Sequence, residues 1–233
     1  MAKIRPGGLV GQISGSIGGD TFSRNKGGPY VRNRAIPVTS TTDAAMAAKN
    51  RLALASQQWQ ALQPSERLAW ETWAQQRTIT DRLGEQIQLS GHQSFVTTRT
   101  RQELSGDPLI DLPPVLPPPT GLTELSVDAT FAAETLAVDV TFAPELSVNT
   151  RLWIWAAATA SAGVNYVQNL LRLVAVTDAN ESSPYDVGPE MLARLGDIEL
   201  DYTVHVQAQV YDLRTGLLSG VRRARDLVTE NGT

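Results

Sequence analysis

Two histidines, no cysteine and scattered carboxylates and hydroxyls are what the chain offers for bond-making chemistry. His92 and His205 lie far apart, and neither has a second histidine at ligand spacing, so no zinc site is encoded. His205 sits between Val204 and Val206. Strand alternation puts it on the face opposite those valines, which reads as solvent-facing. Asp128 and Asp139 occupy equivalent positions of a near-repeat. Two carboxylates across a cleft would suit glycoside chemistry, but as polar members of alternating strands they are more simply the wet face. Ser14 and Ser16 have only glycine and isoleucine neighbours, which do not activate a hydroxyl. The glycines around them lack both Gly-Lys-Ser/Thr and a Gly-x-Gly-x-x-Gly placed between a strand and a helix. No catalytic residue, metal ligand or cofactor is expected, and the chain reads as a non-enzyme. Trp153 and Trp155 are the one pair suited to recognition. Two residues apart on a strand they share a face, with Leu152, Ile154 and Ala156 on the other, and an exposed aromatic pair can stack on sugars.

Binding then becomes the question, and residues 1–34 are the stretch built for it. Glycines at 7, 8, 11, 15, 18, 19, 27 and 28 exclude a helix, and the apolar residues between them are too few for a core. Gly18-Gly19-Asp20 and Lys26-Gly27-Gly28-Pro29 read as turns, with short strands at Leu9-Val10, Ile13, Ile17, Thr21-Phe22 and Tyr30-Val31. Such a ribbon pairs readily with another chain. Its expected contacts are Ile13, Ile17, Phe22, Tyr30 and Val31 together with the cations Arg24, Lys26, Arg32 and Arg34. Fully extended, it would reach about 110 Å. Six cations against Asp20 alone give residues 1–34 a balance of +5, so with −4 overall the rest of the chain carries −9. A basic arm on an acidic body fits a protein partner, another copy included. Nucleic acid is disfavoured, because Phe22 and Tyr30 are the arm's only bases for stacking and the charge supports non-specific contact alone.

The 233 residues are 42% apolar and 19% charged, an ordinary globular composition for one large or two small domains. No apolar run approaches a membrane span and none follows the basic start as a secretory signal would, so a soluble protein is expected. Ala45, Ala48, Leu52, Ala55, Trp59 and Leu62 form one helical stripe after a cap at Thr42 or Asp43. Gln63-Pro64-Ser65-Glu66 ends that helix and starts another with Ala69, Trp70, Trp73 and Ala74 inward, an antiparallel hairpin centred on Trp59, Trp70 and Trp73. After a turn at Arg82-Leu83-Gly84 and a short strand at 86–89, Ser90 caps a third helix carrying Phe95, Val96 and Leu104 and closed by Gly106. Residues 35–106 are thus a helical anchor. Residues 107–120 hold six of the thirteen prolines and read as a stiff linker.

Beyond it the apolar period becomes two. Residues 136–142 and 202–210 alternate, and residues 125–134 match 136–145 at seven of ten positions, which two adjacent strands would explain. Further strands are expected at 151–157, 170–176 and 218–228, with a helical turn in 184–194. Arg222, Arg223 and Arg225 read as charges guarding an edge. The expectation is an α+β chain: a Gly-rich β arm and small helical hairpin domain, then an all-β sandwich over 121–229.

Tyr202 followed by Thr-Val-His-Val-Gln-Ala-Gln-Val, and Gly216-Leu-Leu-Ser219, resemble the sixth strand and last turn of a fibronectin type III module, with Tyr202 as its corner tyrosine and Phe142 where that family has tryptophan. Residues 11–104 are similar to the front half of proteins encoded in tailed-phage and prophage genomes. That likeness rests on Ser14-Gly-Ser-Ile-Gly-Gly, Thr21-Phe-Ser-Arg-Asn-Lys-Gly-Gly-Pro-Tyr-Val-Arg32 and Trp59-x-x-Leu62 followed by Glu66-Arg-x-x-Trp70. It implies a virion structural protein, made in the bacterial cytoplasm: a capsid decoration or minor capsid protein, or a head–tail or tail component. Its partners would be other virion proteins and copies of itself. The alternative is a carbohydrate- or cell-surface-binding module using Trp153 or Trp155.

Overall fold

The computed structural model describes residues 2–3, 7–8, 13–25, 28–35, 41–80, 85–132, 135–164 and 166–230. The chain divides into two compact units, Met1–Ala48 and Lys49–Thr233. It is a mixed α+β protein with four helices and several sheets, antiparallel but for one strand pair, among the described residues.

In the first unit, β1 (Ala2–Lys3), β2 (Gly15–Ile17), β3 (Asp20–Asn25) and β4 (Gly28–Asn33) form an antiparallel sheet in the order β1-β4-β3-β2. The expected extended arm is therefore folded back on itself. Gly18, at φ 58°, turns the chain between Ile17 and its partner Asp20, and Asn25 pairs with Gly28 across the next turn. Each six-residue strand spans only about 20 Å, so the reach of a straight ribbon is lost. Lys26, Arg5, Leu9 and Val10 lie outside the described residues, as does the expected turn at 82–84.

The second unit begins within α1 (Asp43–Ala61), whose first turn has the Ala45 amide donating to Thr42 Oγ1. In α2 (Pro64–Gln75), Pro64 takes the first helical position and the Glu66 carboxylate accepts from the Gln63 amide at 2.7 Å, so the cap is Gln63 rather than Ser65. A two-stranded pair, β5 (Ile79–Thr80) and β6 (Gln86–Ile87), precedes α3 (Gly91–Ser105). Ser90 and Gly106 cap α3 as the sequence requires, Ser90 Oγ accepting from the Gln93 amide and Gly106 standing at φ 70°. The expected α1–α2 hairpin is replaced by packing of α2 mainly on α3. Phe95 supplies the reason, since it fills the space between Trp59 and Trp70, 5.5 Å from each ring. Leu52 of the predicted stripe stays exposed.

The proline-rich segment is bound rather than free. Trp70 and Trp73 donate their indole N–H groups to the carbonyls of Asp111 (2.7 Å) and Pro114 (3.1 Å). Arg99 reaches Ile110 O and the Asp111 carboxylate. The break expected at 107–120 is thus bridged, and residues on both sides of it belong to one compact unit.

The β region starts with a hairpin of β7 (Glu124–Ala132) and β8 (Thr135–Ala143), in register from Leu125↔Phe142 to Ala132↔Thr135, so the near-repeat is a pair of adjacent strands. After them come β9 (Thr150–Thr159), β10 (Arg172–Val176), β11 (Tyr185–Asp186), α4 (Gly188–Leu195), β12 (Thr203–Asp212), β13 (Leu217–Leu218), β14 (Arg222–Leu227) and β15 (Thr229–Glu230). One sheet runs β11-β8-β7-β15, the other β10-β9-β12, with β13 and β14 sharing the far edge of β12. The strand expected over 218–228 is thus broken in two. Both sheets feed one apolar core, built from Val138, Val140 and Phe142 of β8, Leu152 and Ile154 of β9, and Val204 and Val206 of β12, with Met191 of α4. The strand β14 belongs to one sheet and its continuation β15 to the other, and Asp226 Oδ2 takes up the Ala129 amide of β7 at 2.9 Å between them.

Candidate interaction surfaces

The register of the first unit sorts the expected arm contacts onto two faces. Phe22 stands opposite Val31 and Ile17 opposite Asp20, which places Ile17, Phe22, Val31, Arg24 and Pro29 on one face. Tyr30 falls on the other, with Arg32, Ser23, Thr21 and Ser16, where Ser16 and Thr21 share a hydroxyl hydrogen bond of 2.9 Å. Ile13 precedes β2, and Arg34 follows β4 with its amide donating to Gly19 O at 2.7 Å. None of residues 13–24 or 28–35 is buried, and Ile17 is 74% exposed. A small sheet needs three or more strands with an apolar face, or a helix packed on it, to be stable by itself, and here that face is only Ile17, Phe22, Pro29 and Val31, none of them buried. On the polar face Ser16 and Thr21 bond across strands, whereas on the other face Phe22 pairs with Val31 and both stay half-buried beside exposed Ile17.

On the second unit, the outer face of the β9–β12 sheet carries Trp153 and Trp155, together with His205, Gln207, Gln209 and Tyr211 of β12. This face is largely covered. Trp153 is only 4% exposed, stacked on Tyr211 with ring centroids 5.2 Å apart and planes at 30°, and it cannot serve as an open platform. At the Arg151–Tyr211 end the cover comes from the end of α3 and the residues after it. Arg151 donates to Ser105 O at 2.9 Å and pairs with the Asp107 carboxylate at 3.4 Å, and the Gly216 turn lies against Thr98. Burial raises the Asp107 pKa above its ordinary range, a shift the Arg151 charge opposes, and burial beside Asp107 raises that of Tyr211.

His205 is likewise buried, not solvent-facing. It is 6% exposed, its Nε2 lies 3.3 Å from Thr159 Oγ1, and burial together with the nearby Arg225 charge lowers its pKa, favouring the neutral ring. Beside it opens a cleft of about 280 Å³ walled by Tyr166, Gln168 and Leu171 and floored by His205, Gln207 and Arg223. Trp155, half-buried, pairs in register with Gln207, which pairs in turn with Arg223. Arg223 donates to Gln207 Oε1 at 3.0 Å and to Gln168 Oε1, so β14 carries structured contacts and not only edge charges.

The chain matches no protein-family model and no curated protein sequence. Its surfaces must carry the functional reading.

Asp128 and Asp139 pair directly across the β7–β8 hairpin, both exposed, on the face away from the core. Among the described residues no group of three or more histidine, aspartate or glutamate side chains could hold a metal ion, and no helix is long and apolar enough to cross a membrane. Sequence reasoning missed the cleft under Tyr166 altogether. Its floor residues are ordinary members of an alternating strand, and its wall is a loop with no periodic signal.

Proposed function

We propose that the chain is a non-enzymatic structural protein of a bacteriophage particle, a capsid decoration or minor capsid protein or a head–tail or tail component. It docks onto neighbouring subunits through its N-terminal sheet and presents a fibronectin III/Ig-like sandwich, residues 121–229. The observation that carries this reading is the sheet of residues 15–33, whose strands are paired while none of its described side chains is buried. A partner covering Ile17, Phe22 and Val31 would contribute about 1.5–3 kcal/mol for each fully buried large side chain, less the ordering cost. The balance of +5 on residues 1–34 against −9 on the remainder favours an acidic protein surface as the partner, including another copy. The sandwich reading is supported by two sheets that feed one core and by a last strand that passes from one to the other.

Hydrogen exchange on the isolated protein, and on the protein within assembled particles, tests the proposal. Amides of residues 15–33 should exchange much faster than those of residues 136–142 and 203–210 in the isolated chain and become protected on assembly. Strong protection of residues 15–33 in a demonstrated monomer would remove the physical basis for docking.

A second reading, a carbohydrate- or cell-surface-binding module, is favoured by half-buried Trp155 next to the cleft of Gln207 and Arg223. Specific binding on a glycan array that disappears in Trp155→Ala would select it.

A further inference from the structure

Two guanidinium groups in the second unit line one cleft and have no acidic partner among the described residues. Arg77 follows the end of α2 and lies over the Trp73 indole, 4.4 Å from the ring centroid. Arg101 projects from α3 into the same cleft, about 330 Å³ in volume, whose walls include Trp73, Ser94, Thr98 and Leu217. Neither arginine takes part in any ion pair among the described residues, where Arg99, Arg151 and Arg214 each find an aspartate. Burial lowers the pKa of both; for Arg101 the nearby Tyr211 opposes that shift and the Arg77 charge adds to it. A guanidinium does not deprotonate in a protein, so each stays charged and the unfavourable energy remains in the site. Stacking on Trp73 fixes the plane of Arg77 and leaves its N–H edge free to donate.

We infer that the cleft between α2, α3 and the β12–β13 turn binds an oxyanion, a carboxylate or phosphate group gripped by Arg77 and Arg101 together. Two planar forks lining one cleft, Arg77 from just past α2 and Arg101 from α3, suit the oxygens of such a group, with charge-assisted hydrogen bonds to each. The Ser94 and Thr98 hydroxyls stand in the same wall, and Leu217 closes the apolar side. The group could arrive as a free ion or as the side chain of an acidic peptide; the recognition chemistry is shared. This inference does not depend on the N-terminal sheet and survives or fails separately from the proposed function.

The test uses the full chain, with inorganic phosphate and a hexaglutamate peptide as separate probes, read by calorimetric titration and by thermal unfolding against sodium chloride of equal ionic strength. At least one probe should raise the melting temperature beyond the chloride control. Arg77→Gln and Arg101→Gln should each weaken binding at least tenfold and abolish that increment. In buffer without phosphate or peptide, Arg101→Gln should melt no lower than the parent, since it removes a charge with no acidic partner among the described residues, whereas Arg77→Gln also loses its stack on Trp73 and is read by binding alone. Arg172→Gln, whose side chain lies outside this cleft and, among the described residues, bonds to the carbonyls of Asn169 and Leu171, should bind as the parent does. Preference for hexaglutamate would identify a peptide carboxylate, and preference for phosphate a small ion. Equal behaviour in both probes and chloride, or undiminished binding in both arginine variants, would overturn the inference. Should Arg101→Gln fail to fold, Arg77→Gln alone decides it.

Discussion

Trp153 and Tyr211 stack 5.2 Å apart on the outer face of the β9–β12 sheet, where a two-layer β fold would ordinarily meet water. Trp155 leans on the same stack, 5.7 Å from Trp153, but remains half-buried. The two tryptophans therefore have different jobs. Trp153→Ala should destabilise the protein by about 3–5 kcal/mol, as loss of a buried large aromatic does, while Trp155→Ala should cost less than half as much. Urea unfolding of the two variants measures this. Equal, small losses would mean that the face over Trp153 is open in solution.

Gly216 is the point where the β12–β13 turn meets α3. It adopts φ 67°, and a Cβ there would lie 2.7 Å from Thr98 Cγ2. Gly106 has a similar φ of 70° with open space around it. Ala at either position meets the left-handed penalty of about 1–2 kcal/mol, but only Gly216→Ala adds a clash, worth a further 1–3 kcal/mol by the usual scale of overpacking, roughly. The difference between the two variants, read from denaturant midpoints, reports how firmly the helical layer is seated on the sheet. Equal losses would show that the turn yields.

Much of the secondary structure was legible because its signals are local. Ser90 with Gln93, Gly106, Pro64 with Glu66, and the Leu125–Glu145 near-repeat each announce an end or a pairing within a few residues. What covers a face is not local. Alternation put His205 opposite the core, which is correct, yet it carries no information about the 166–171 loop beside His205 or the end of α3 near Tyr211 on that face. The same holds for α3 itself. Its few apolar residues hid the fact that Thr98, Arg99 and Gln102 are buried, Arg99 and Gln102 with polar contacts such as Arg99 to Gln58 Oε1 at 2.7 Å. The arm's glycines marked its turns but not its return into a sheet, which depends on pairing between residues as distant as Ala2 and Val31.

Asp107 gives this junction a pH dependence of definite sign. Its folded pKa is raised above the ordinary 3.8, chiefly by burial, with Arg151 and the Tyr211 hydroxyl pulling the other way. The native state therefore holds this proton more tightly than the unfolded chain. The group's contribution is most favourable at or below the ordinary aspartate value and is lost as pH rises through the folded pKa. Asp107→Asn removes that titration. Measured by urea unfolding from pH 6 down to pH 4, the stability of the parent relative to the variant should improve as pH falls. A parent that loses ground to Asp107→Asn on acidification would show that the Arg151 pairing outweighs burial.

Phe22 and Tyr30 test which face of the N-terminal sheet meets a partner. Both were grouped as contacts by their apolar character, yet the register sets them on opposite faces. The Phe22 face carries Val31, its cross-strand partner, and Ile17, apolar side chains left half-buried or exposed. The Tyr30 face carries hydroxyls that already bond across strands. Burying one Phe side chain is worth about 1.5–3 kcal/mol, which corresponds to a roughly 10- to 150-fold change in affinity per contact. Phe22→Ser or Val31→Ser should therefore lower incorporation into particles at least tenfold, with little change in the unfolding of residues 49–230. Tyr30→Ser should leave incorporation within about threefold, since a partly exposed surface residue away from the contact changes free energy by only about 0.5 kcal/mol. Gel quantification of the protein in purified particles decides between them. The reverse ranking would turn the sheet over and put its basic face, with Arg32, against the neighbouring subunit.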